Sequence, residues 1–418
     1  MLVRNKTLGF LFFLSIITYL DRVCISVAGP RIQADLGLRP EDWGWVMGIF
    51  TLGYALFEIP TGSMADRLGA RKVLTRIVVW WSVFTVVTGW VNGFAMLLVV
   101  RFAFGAGEAG AFPGATSAIG RWFPDARRAR AQSVVWTASR LGAVLSPLLV
   151  IPIQQTWGWR ASFWAFGGIG FVWALLFYLW YRDDPRDKKG ITAEELAELG
   201  QDTEKATGHK VDWKPVLRNP AFWKLLGMYH LYCWTAYFYF SWMPTYLQKG
   251  LGFDEASMKN WSTLAFLVGA CGNVLGGTLS DRLVKRHGLR FGRRIVGASG
   301  LMFGGLCVIG TATSSSPTLA AVLLCLGILG MDIFLPVAWA TSLDMSGRHG
   351  GSISGAMNMA GQLGSFVSSV AFGYLVSAYG YSMSLLPLAV GTFVAGGLFL
   401  TIDPMRSVLG ASPQESSI

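Results

Sequence analysis

The sequence predicts an all-α integral membrane protein with twelve transmembrane helices in two pseudo-symmetric six-helix bundles. Three observations lead to this fold class, namely the composition, the spacing of the apolar stretches and the placement of positive charge. Of the 418 residues, 53% are hydrophobic and only 14% are charged, and the mean hydropathy is +0.46. Soluble domains carry about 25% charged residues. The composition therefore excludes an ordinary soluble domain.

Apolar stretches recur along the whole chain. A stretch of about twenty such residues is long enough to cross a bilayer as a helix. Charged residues inside the first stretch, and the lack of a cleavage site, argue against a signal peptide. The twelve predicted spans are residues 8–29, 43–64, 73–91, 94–119, 131–153, 160–181, 221–247, 257–280, 295–313, 317–341, 351–376 and 381–402.

Lysine and arginine are distributed unevenly about these spans. Of the 35, 27 fall on the side of the N-terminus and three lie inside spans. Positive charge collects on the cytoplasmic side of membrane proteins, so both termini are predicted to be cytoplasmic. The five on the opposite side are Arg31, Arg39, Arg160, Lys249 and Lys259.

One long hydrophilic connection interrupts the spans. Residues 182–220 begin with RDDPRDKKG and contain a short amphipathic piece, ITAEELAEL. The connection divides the chain into a first bundle, residues 1–181, and a second bundle, residues 221–418. No other loop is large enough to hold a soluble catalytic domain.

Span 1 carries two adjacent charges, Asp21 and Arg22. Ionisable groups at this depth are costly unless they are paired or hydrated. Neighbouring residues on a helix diverge by about 100°, so these two do not pair well with each other. Each is expected to find another partner, on the fourth or fifth span.

A glycine-rich basic motif occurs once in each half. The first copy follows span 2 and contains Asp66, Arg67 and Arg71; the second follows span 8 and contains Asp281 and Arg282. Glycine permits a tight turn, and the aspartate can meet a helix N-terminus or nearby arginines. Such a cluster could latch the cytoplasmic side, whereas the competing interpretation is a solvated positive loop.

Span 4 combines charge with glycine. Arg101 and Glu108 stand seven residues apart, so a helix of residues 94–119 places both on one face. That face is expected to line a polar cavity at membrane depth. The glycines of the same helix are small residues that let neighbouring helices approach; they are Gly105, Gly107, Gly110 and Gly114.

Span 5 carries Arg140 in an otherwise apolar helix. A guanidinium binds a carboxylate with a planar fork, which a lysine cannot do. Two roles remain open, contact with an anionic substrate or internal pairing with Glu108 or Asp21. The substitution Arg140→Lys separates them, because it keeps the charge and removes the fork.

The second half offers fewer polar groups at depth. Asp332 in span 10 is either a second proton site or a hydrogen-bond anchor for a helix broken near Pro336. His230 lies in the aromatic span 7, where a satisfied polar group competes with a proton carrier. Asn358 and Gln362 are four residues apart on one face of span 11 and could bind hydroxyl groups or pack between helices.

The chain resembles the major facilitator superfamily. Residues 62–72 match the GxxxDRxGxRK signature, and the second copy keeps GxxxDR but has Val284 where glycine is expected. Within the superfamily it resembles the anion:cation symporter branch, which includes carriers of galactonate, hexuronate and glucarate. The residues that carry this resemblance are Tyr19-Leu-Asp21-Arg22, Tyr54, Glu58-Ile-Pro60, Arg101-x6-Glu108, Ser241-Trp242-x-Pro244, Trp339 and Asn358.

The resemblance implies a role for each of these residues. Asp21 and Glu108 would carry protons, and Arg22 and Arg101 would hold the substrate. A sugar-acid pocket would be lined by Tyr19, Tyr54, Trp339 and Asn358. Arg140 stands about where a galactonate carrier has glutamine, which favours a different or more anionic substrate.

Charge counting then gives a mechanism. Three arginines within the first half face two acids, a net charge of +1 that each proton raises by one. Protonation and anion binding should therefore favour each other. We expect a proton-coupled symporter of a small organic anion, such as a hexonate, hexuronate or aldarate, working by alternating access. Transport of another carboxylate and anion exchange remain alternatives.

Other classes of function lack their motifs. The sequence has no phosphate-binding GxxxxGK[ST], no HExxH and no GxSxG, so we expect no enzyme activity, cofactor or metal. An intramembrane enzyme would need an acidic motif of which Asp183-Asp184 is a weak echo, and a transporter-like sensor would need a signalling domain. The expected partners are the anion, protons and membrane lipid, without nucleic acid, and the protein is expected to be monomeric.

Overall fold

The computed structural model describes residues 2–198, 212–346 and 349–409, apart from the side chains at positions 59, 62, 63, 65–67, 125, 126 and 129. Regular structure in these ranges is helical, and they contain no strand. Among the described residues, eight helical segments are long and apolar enough to cross a membrane, one of them being Phe94–Trp122, and Leu385–Thr401 is a shorter apolar helix.

In the described part of the chain, nine α-helices lie before residue 219. Five of them correspond to the predicted spans 1, 2, 3, 5 and 6, two together cover span 4, and two short ones lie in the hydrophilic connection. They are α1 (Val3–Asp35), α2 (Pro40–Leu68), α3 (Ala70–Thr88), α4 (Phe94–Glu108), α5 (Ala111–Trp122), α6 (Asp125–Trp157), α7 (Trp159–Trp180), α8 (Ala193–Glu198) and α9 (Trp213–Arg218).

The remaining helices start at residue 220. Asn219 accepts a hydrogen bond from the backbone N–H of Ala221 and caps the first of them, and Asp254 caps α12 in the same way. They are α10 (Pro220–Ser241), α11 (Met243–Thr245, followed by a π turn, Tyr246–Gly250), α12 (Glu255–His287), α13 (Leu289–Thr313), α14 (Pro317–Ser346), α15 (Gly350–Met383) and α16 (Leu385–Thr401).

The chain divides into two compact units. The N-unit comprises Met1–Leu38 and Ile49–Gly208, and the C-unit comprises Arg39–Gly48 and His209–Ile418. The beginning of α2 therefore belongs to the C-unit. There a β-carbon added to Gly44 would meet the carbonyl oxygen of Ser369 at 2.7 Å, so α2 begins in close backbone contact with α15.

Small residues set the packing inside the N-unit. Helix α1 lies along α6, where a β-carbon on Gly142 would come within 2.4 Å of the carbonyl oxygen of Ile16. Helix α3 lies along α7, where Gly170 leaves room for the hydroxyl of Ser82. Glycine at these positions lets the helices approach closely, which brings the polar residues of α1 next to α6.

The C-unit repeats the same order of pairing. Helix α10 lies along α15, with Gly364 against the backbone of His230, and α13 lies along α16, with Gly297 against Phe399. The corresponding helices of both units thus pack with each other in the same sequence order. This internal repeat agrees with the repeated basic motif in the sequence.

Two expectations about helix continuity are wrong. Span 4 is not one helix, as the next subsection describes. Span 10, by contrast, is continuous: α14 runs through Pro336 to Ser346. The interpretation of Asp332 as an anchor for a helix broken near Pro336 is therefore wrong.

Candidate functional site

An ion pair between α1 and α4 lies at the centre of the N-unit. The Nε of Arg22 donates a hydrogen bond to Oε1 of Glu108. Glu108 is completely buried, and the Arg22 side chain is 15% exposed. The pair joins a charge of the first span to one of the fourth, so the two helices are held together by opposite charges at depth.

The helix of Glu108 ends at that residue. Gly110 follows with φ +94°, and α5 starts at Ala111. The prediction of an unbroken helix over residues 94–119 is wrong at this point. Gly110 adopts a left-handed conformation that other residues resist, and a β-carbon there would meet Oγ1 of Thr61 at 2.6 Å. The break places the carboxylate of Glu108 at a helix end.

Three aromatic rings surround the guanidinium of Arg22. Its Cζ lies 4.8 Å from the ring centre of Tyr54 and 5.4 Å from those of Tyr19 and Phe50. Cations bind favourably over such ring faces. Tyr19 and Tyr54, which the sequence predicted as site residues, therefore lie beside the predicted arginine.

Arg101 shares one of these rings. Its Cζ lies 4.7 Å from the ring centre of Phe50 and 5.0 Å from that of Phe104, and its side chain is buried. Phe50 thus lies between the two arginines. The sequence analysis missed it, although it precedes Tyr54 by four residues and therefore shares its helix face.

Asp21 completes the charged cluster. It is 3% exposed, and neither of its carboxylate oxygens has a hydrogen-bond partner among the described residues. The charges of Glu108 and Arg101 act on it electrostatically. The cluster therefore contains one acid that is hydrogen-bonded to arginine and one that is not. Burying an unpaired charged carboxylate costs far more than burying a neutral one.

Arg140 lies half-buried on α6, four residues after Trp136. The ring of Trp136 stacks on Phe112 with centres 4.7 Å apart, and Phe112 meets Tyr19 edge-on at 6.2 Å. An aromatic chain therefore leads from α6 to the ring over Arg22. The two roles predicted for Arg140, substrate contact and internal pairing, both remain predictions.

The predicted residues of the C-unit form a separate set. Nε1 of Trp339 donates to the hydroxyl of Tyr229 at 3.1 Å, while Asn358 and Gln362 are half-buried on α15. Nδ1 of His230 lies 3.0 Å from the carbonyl oxygen of Ala360. This bond is the arrangement expected of a satisfied polar group.

Asp332 is buried on α14 against α12. A β-carbon added to Gly269 would meet its Oδ2 at 2.4 Å, and one added to Gly272 would meet its β-carbon at 3.3 Å. Two glycines thus make room for this carboxyl. Its role as a second proton site stays a prediction.

The first basic motif binds a carboxylate from another part of the N-unit. Asp183 accepts the backbone N–H of Arg71 at 3.0 Å at the start of α3 and lies against Gly69, whose φ is +86°. Nε of Arg71 donates to the carbonyl oxygen of Tyr178 at 2.9 Å. The side chains of Asp66 and Arg67 lie outside the described residues. Asp183 is thus held at a helix N-terminus, which favours negative charge.

The second motif forms a different network. Arg293 donates to Asp281 at 3.0 Å and to Asp344 at 3.1 Å. Arg282 is exposed. The chain turns at Gly288 with φ +85°, four residues after Val284, because α12 continues to His287. The missing glycine therefore shifts the turn along the chain.

Comparisons with known proteins give a family and several relatives for this chain. The sequence model of the Major Facilitator Superfamily matches residues 11–369. The chain is 35% identical to the probable sulfoacetate transporter SauU of Cupriavidus necator, over 99% of this chain and 96% of the relative. It is 30% identical to a D-galactonate transporter of Escherichia coli, over 97% of each.

A solved structure shows the same fold. A bacterial homologue of the human lysosomal transporter Spinster superposes with a TM-score of 0.81 at 21% identity, covering 98% of this chain and 99% of the other. At this identity the likeness concerns the fold alone.

Proposed function

Since the chain belongs to the Major Facilitator Superfamily and is a multi-pass membrane transporter, we propose that it couples protons to the uptake of a small organic anion. It does so as a symporter that works by alternating access.

The observation that carries this proposal is the charged cluster of the N-unit. Two arginines, the half-buried Arg22 and the buried Arg101, lie with two buried acids, Asp21 and Glu108, on two helices, α1 and α4. Guanidinium groups bind carboxylates and sulfonates through charge and parallel N–H donors. Carboxyls beside them can gain and lose protons. This arrangement supports the proposal that substrate binding and protonation share one cluster.

The Arg22–Glu108 pair suggests how proton binding and anion binding are coupled. While Glu108 is ionised, it occupies the Nε donor of Arg22. A proton on Glu108 removes that competing negative charge, which leaves Arg22 available to an anionic substrate. By reciprocity, a bound anion favours the protonated carboxyl. Proton and anion therefore bind together, as symport requires.

Asp21 has a different place in this scheme. Its two oxygens lack hydrogen-bond partners among the described residues, and Arg101 lies within electrostatic range. We propose that Asp21 carries a proton in this arrangement and loses it when the arginines reorient. Glu108 and Asp21 then hold the proton at successive stages of transport.

The relatives suggest the class of substrate. One is named for sulfoacetate, which carries a carboxylate and a sulfonate, and another for galactonate, a sugar acid. Both are small organic acids that a pair of arginines can hold. We propose a substrate of this class. Trp339, Asn358 and Gln362 are proposed as further substrate contacts, Arg71, Asp281 and Arg282 as parts of cytoplasmic latches, and the monomer as the working unit.

Uptake into proteoliposomes tests this function. Purified protein is first screened by thermal shift at two pH values against hexonates, hexuronates, aldarates and sulfoacetate, and the stabilising anion is then radiolabelled. An inward proton gradient should drive its accumulation, and a protonophore should abolish it.

Three results would contradict the proposal. Uptake that is equal with and without the gradient would remove proton coupling. Movement only in exchange for internal anion would make the protein an exchanger. Failure of every organic acid to bind or move would remove the substrate class.

A further inference from the structure

An apolar groove runs between α1 and α7 on the surface of the N-unit, away from the charged cluster. Its volume is about 430 Å³, within the range of small-molecule sites. Its lining is apolar except at one end, where Lys6 lies. The other lining residues are Gly9, Phe10, Phe13, Ile17, Ile169, Val172, Trp173 and Leu176.

The floor and the rim of the groove differ. Ile17 and Trp173 are buried at its floor, whereas Phe13, Val172 and Leu176 are exposed at its rim. Nε1 of Trp173 donates to the carbonyl oxygen of Phe10 at 3.0 Å and fixes α7 against α1. The groove is therefore a rigid apolar channel open to the surroundings of the helices.

Its length matches one leaflet of a bilayer. Lys6 and Ile17 are eleven residues apart on α1, which is about 16 Å along a helix. The hydrocarbon core of a bilayer is about 30 Å thick. Between these two residues the groove is therefore about half as long as the hydrocarbon core is thick, which is the length of a single acyl chain.

Positive charge gathers at the end of the groove that carries Lys6. The ring of Phe10 stacks on Trp180 at 5.1 Å, and Nζ of Lys188 lies 4.1 Å from the ring centre of Trp180. Partial burial, together with the charges of Arg182, Lys6 and Arg71, lowers the pKa of Lys188. Of these cations, Lys6 lines the groove, and Lys188 donates a hydrogen bond to the carbonyl oxygen of Trp180, whose ring stacks on Phe10 of the groove.

The neighbouring acids are engaged elsewhere. Asp183 accepts from the backbone of Arg71, and Asp184 accepts from the backbone of Arg186. Within the described ranges, neither Lys6 nor Lys188 forms an ion pair with a carboxylate. The mouth of the groove is therefore complementary to a negative group.

We propose that this groove binds an anionic phospholipid, with one acyl chain along α1 and α7 and its phosphate at Lys6 and Lys188. The charge at the mouth selects the anionic headgroup, since basic pockets between helices on the cytoplasmic side bind such lipids. The apolar channel holds the chain. The site is distinct from the transport cluster and does not depend on which anion is carried.

Two substitutions test the headgroup contact and the acyl-chain contact separately. Gly9 lines the groove, and a β-carbon there meets no atom within 4 Å, so Gly9→Leu places a side chain in the groove from an open position. Gly168→Leu is its control, because Gly168 on α7 is equally open but does not line the groove. Lys6→Gln removes a headgroup charge, and Lys224→Gln removes an exposed charge from the start of α10 as its control.

Native mass spectrometry of the detergent-purified protein, titrated with dioleoyl phosphatidylglycerol or dioleoyl phosphatidylcholine, gives the result. We expect wild type to retain more phosphatidylglycerol than phosphatidylcholine. In Lys6→Gln the ratio of retained phosphatidylglycerol to phosphatidylcholine should fall at least fivefold, and Gly9→Leu should bind less of both lipids. Both controls should behave as wild type, and thermal midpoints in lipid-free detergent show that each variant is folded.

Several outcomes would overturn the proposal. Equal retention of the two lipids by wild type would show that charge does not select the occupant. Wild-type binding by folded Gly9→Leu would place the lipid elsewhere, and wild-type preference in Lys6→Gln would place the headgroup elsewhere.

Discussion

Phe50 occupies the space between the two buried arginines of the N-unit. Its ring centre lies 5.4 Å from the guanidinium carbon of Arg22 and 4.7 Å from that of Arg101. One ring therefore orients two cations that would otherwise repel each other. If the proposed anion binds at these arginines, a ring that holds both of them in place favours binding by preorganisation.

The substitution Phe50→Leu tests this role. It keeps an apolar side chain and removes the ring, so both cation–π contacts, worth about 0.5–2 kcal/mol each, are lost. We expect the transported anion to bind about 5–30-fold more weakly, which corresponds to 1–2 kcal/mol, in a calorimetric titration. Phe57→Leu, on the exposed face of the same helix, should bind as wild type. Equal affinities in the two variants would contradict the role of the ring.

Residue types and spacing predicted much of this cluster. Charges inside apolar spans must be buried with partners, so Asp21, Arg22, Arg101 and Glu108 could be named from sequence. The choice of partners could not be predicted. It depends on helix rotation and on the break after Glu108, both of which arise from packing between helices. Phe50 was missed because its one signal, a helix face shared with Tyr54, does not distinguish it from other apolar residues of the span.

At the scale of elements, a helix break positions Glu108, the proposed proton carrier. Glu108 ends α4, and Gly110 turns the chain before α5. The sequence showed four glycines in this span and no sign of which would break the helix, because packing glycines and turn glycines look alike. At Gly110 the close approach of Thr61 on α2 leaves no room for a β-carbon, so the helix breaks at this glycine.

Replacing Gly110 with alanine should disturb this break. Alanine at this position would have to adopt a positive φ, which costs about 1–3 kcal/mol. Its β-carbon would lie 2.6 Å from Oγ1 of Thr61. We expect a lower thermal midpoint and impaired uptake. Gly120→Ala on α5 meets no atom within 4 Å and should leave the midpoint unchanged or higher. A stable, active Gly110→Ala would show that the break is not required.

Helix α8 of the hydrophilic connection holds the start of α1. The buried carboxylate of Glu195 accepts the backbone N–H groups of Val3 at 3.2 Å and of Arg4 at 3.1 Å, and Glu198 pairs with the side chain of Arg4. Negative charge at a helix N-terminus is stabilising. The sequence predicted an amphipathic segment here, and in the structure this segment contacts the start of α1.

Loss of charge at Glu195 should loosen this junction. Hydrogen bonds to charged groups contribute about 1.5–3 kcal/mol, so Glu195→Gln should speed hydrogen exchange at the start of α1 by at least tenfold. Glu194 is exposed on the same helix, and Glu194→Gln should exchange as wild type. Unchanged exchange in Glu195→Gln would mean that α8 does not stabilise α1.

At the scale of the whole molecule, the two units repeat one pattern of helix pairing. The first bundle pairs α1 with α6 and α3 with α7, and the second pairs α10 with α15 and α13 with α16. The repeated motif and the long hydrophilic connection indicated this duplication from sequence. The number of spans and the side of each loop remain predictions of that charge pattern.

Accessibility of added cysteines tests the topology. Lys189 and Ser315 are exposed positions in loops predicted to lie on opposite sides of the membrane. In intact cells a membrane-impermeant maleimide should label Ser315→Cys at once and label Lys189→Cys only after lysis, and the unsubstituted protein gives the background. The reverse order of labelling would invert the predicted orientation.

Proton movement during transport tests most directly whether the acids of the N-unit couple the two fluxes. A pH-sensitive dye inside proteoliposomes records protons that enter with the transported anion. We expect wild type and Asp187→Asn, which alters an exposed acid of the hydrophilic connection, to acidify the interior when the anion is added. Asp21→Asn and Glu108→Gln should abolish that acidification. Acidification by both variants at the wild-type rate, or anion entry into wild-type vesicles without protons, would contradict the proposed coupling.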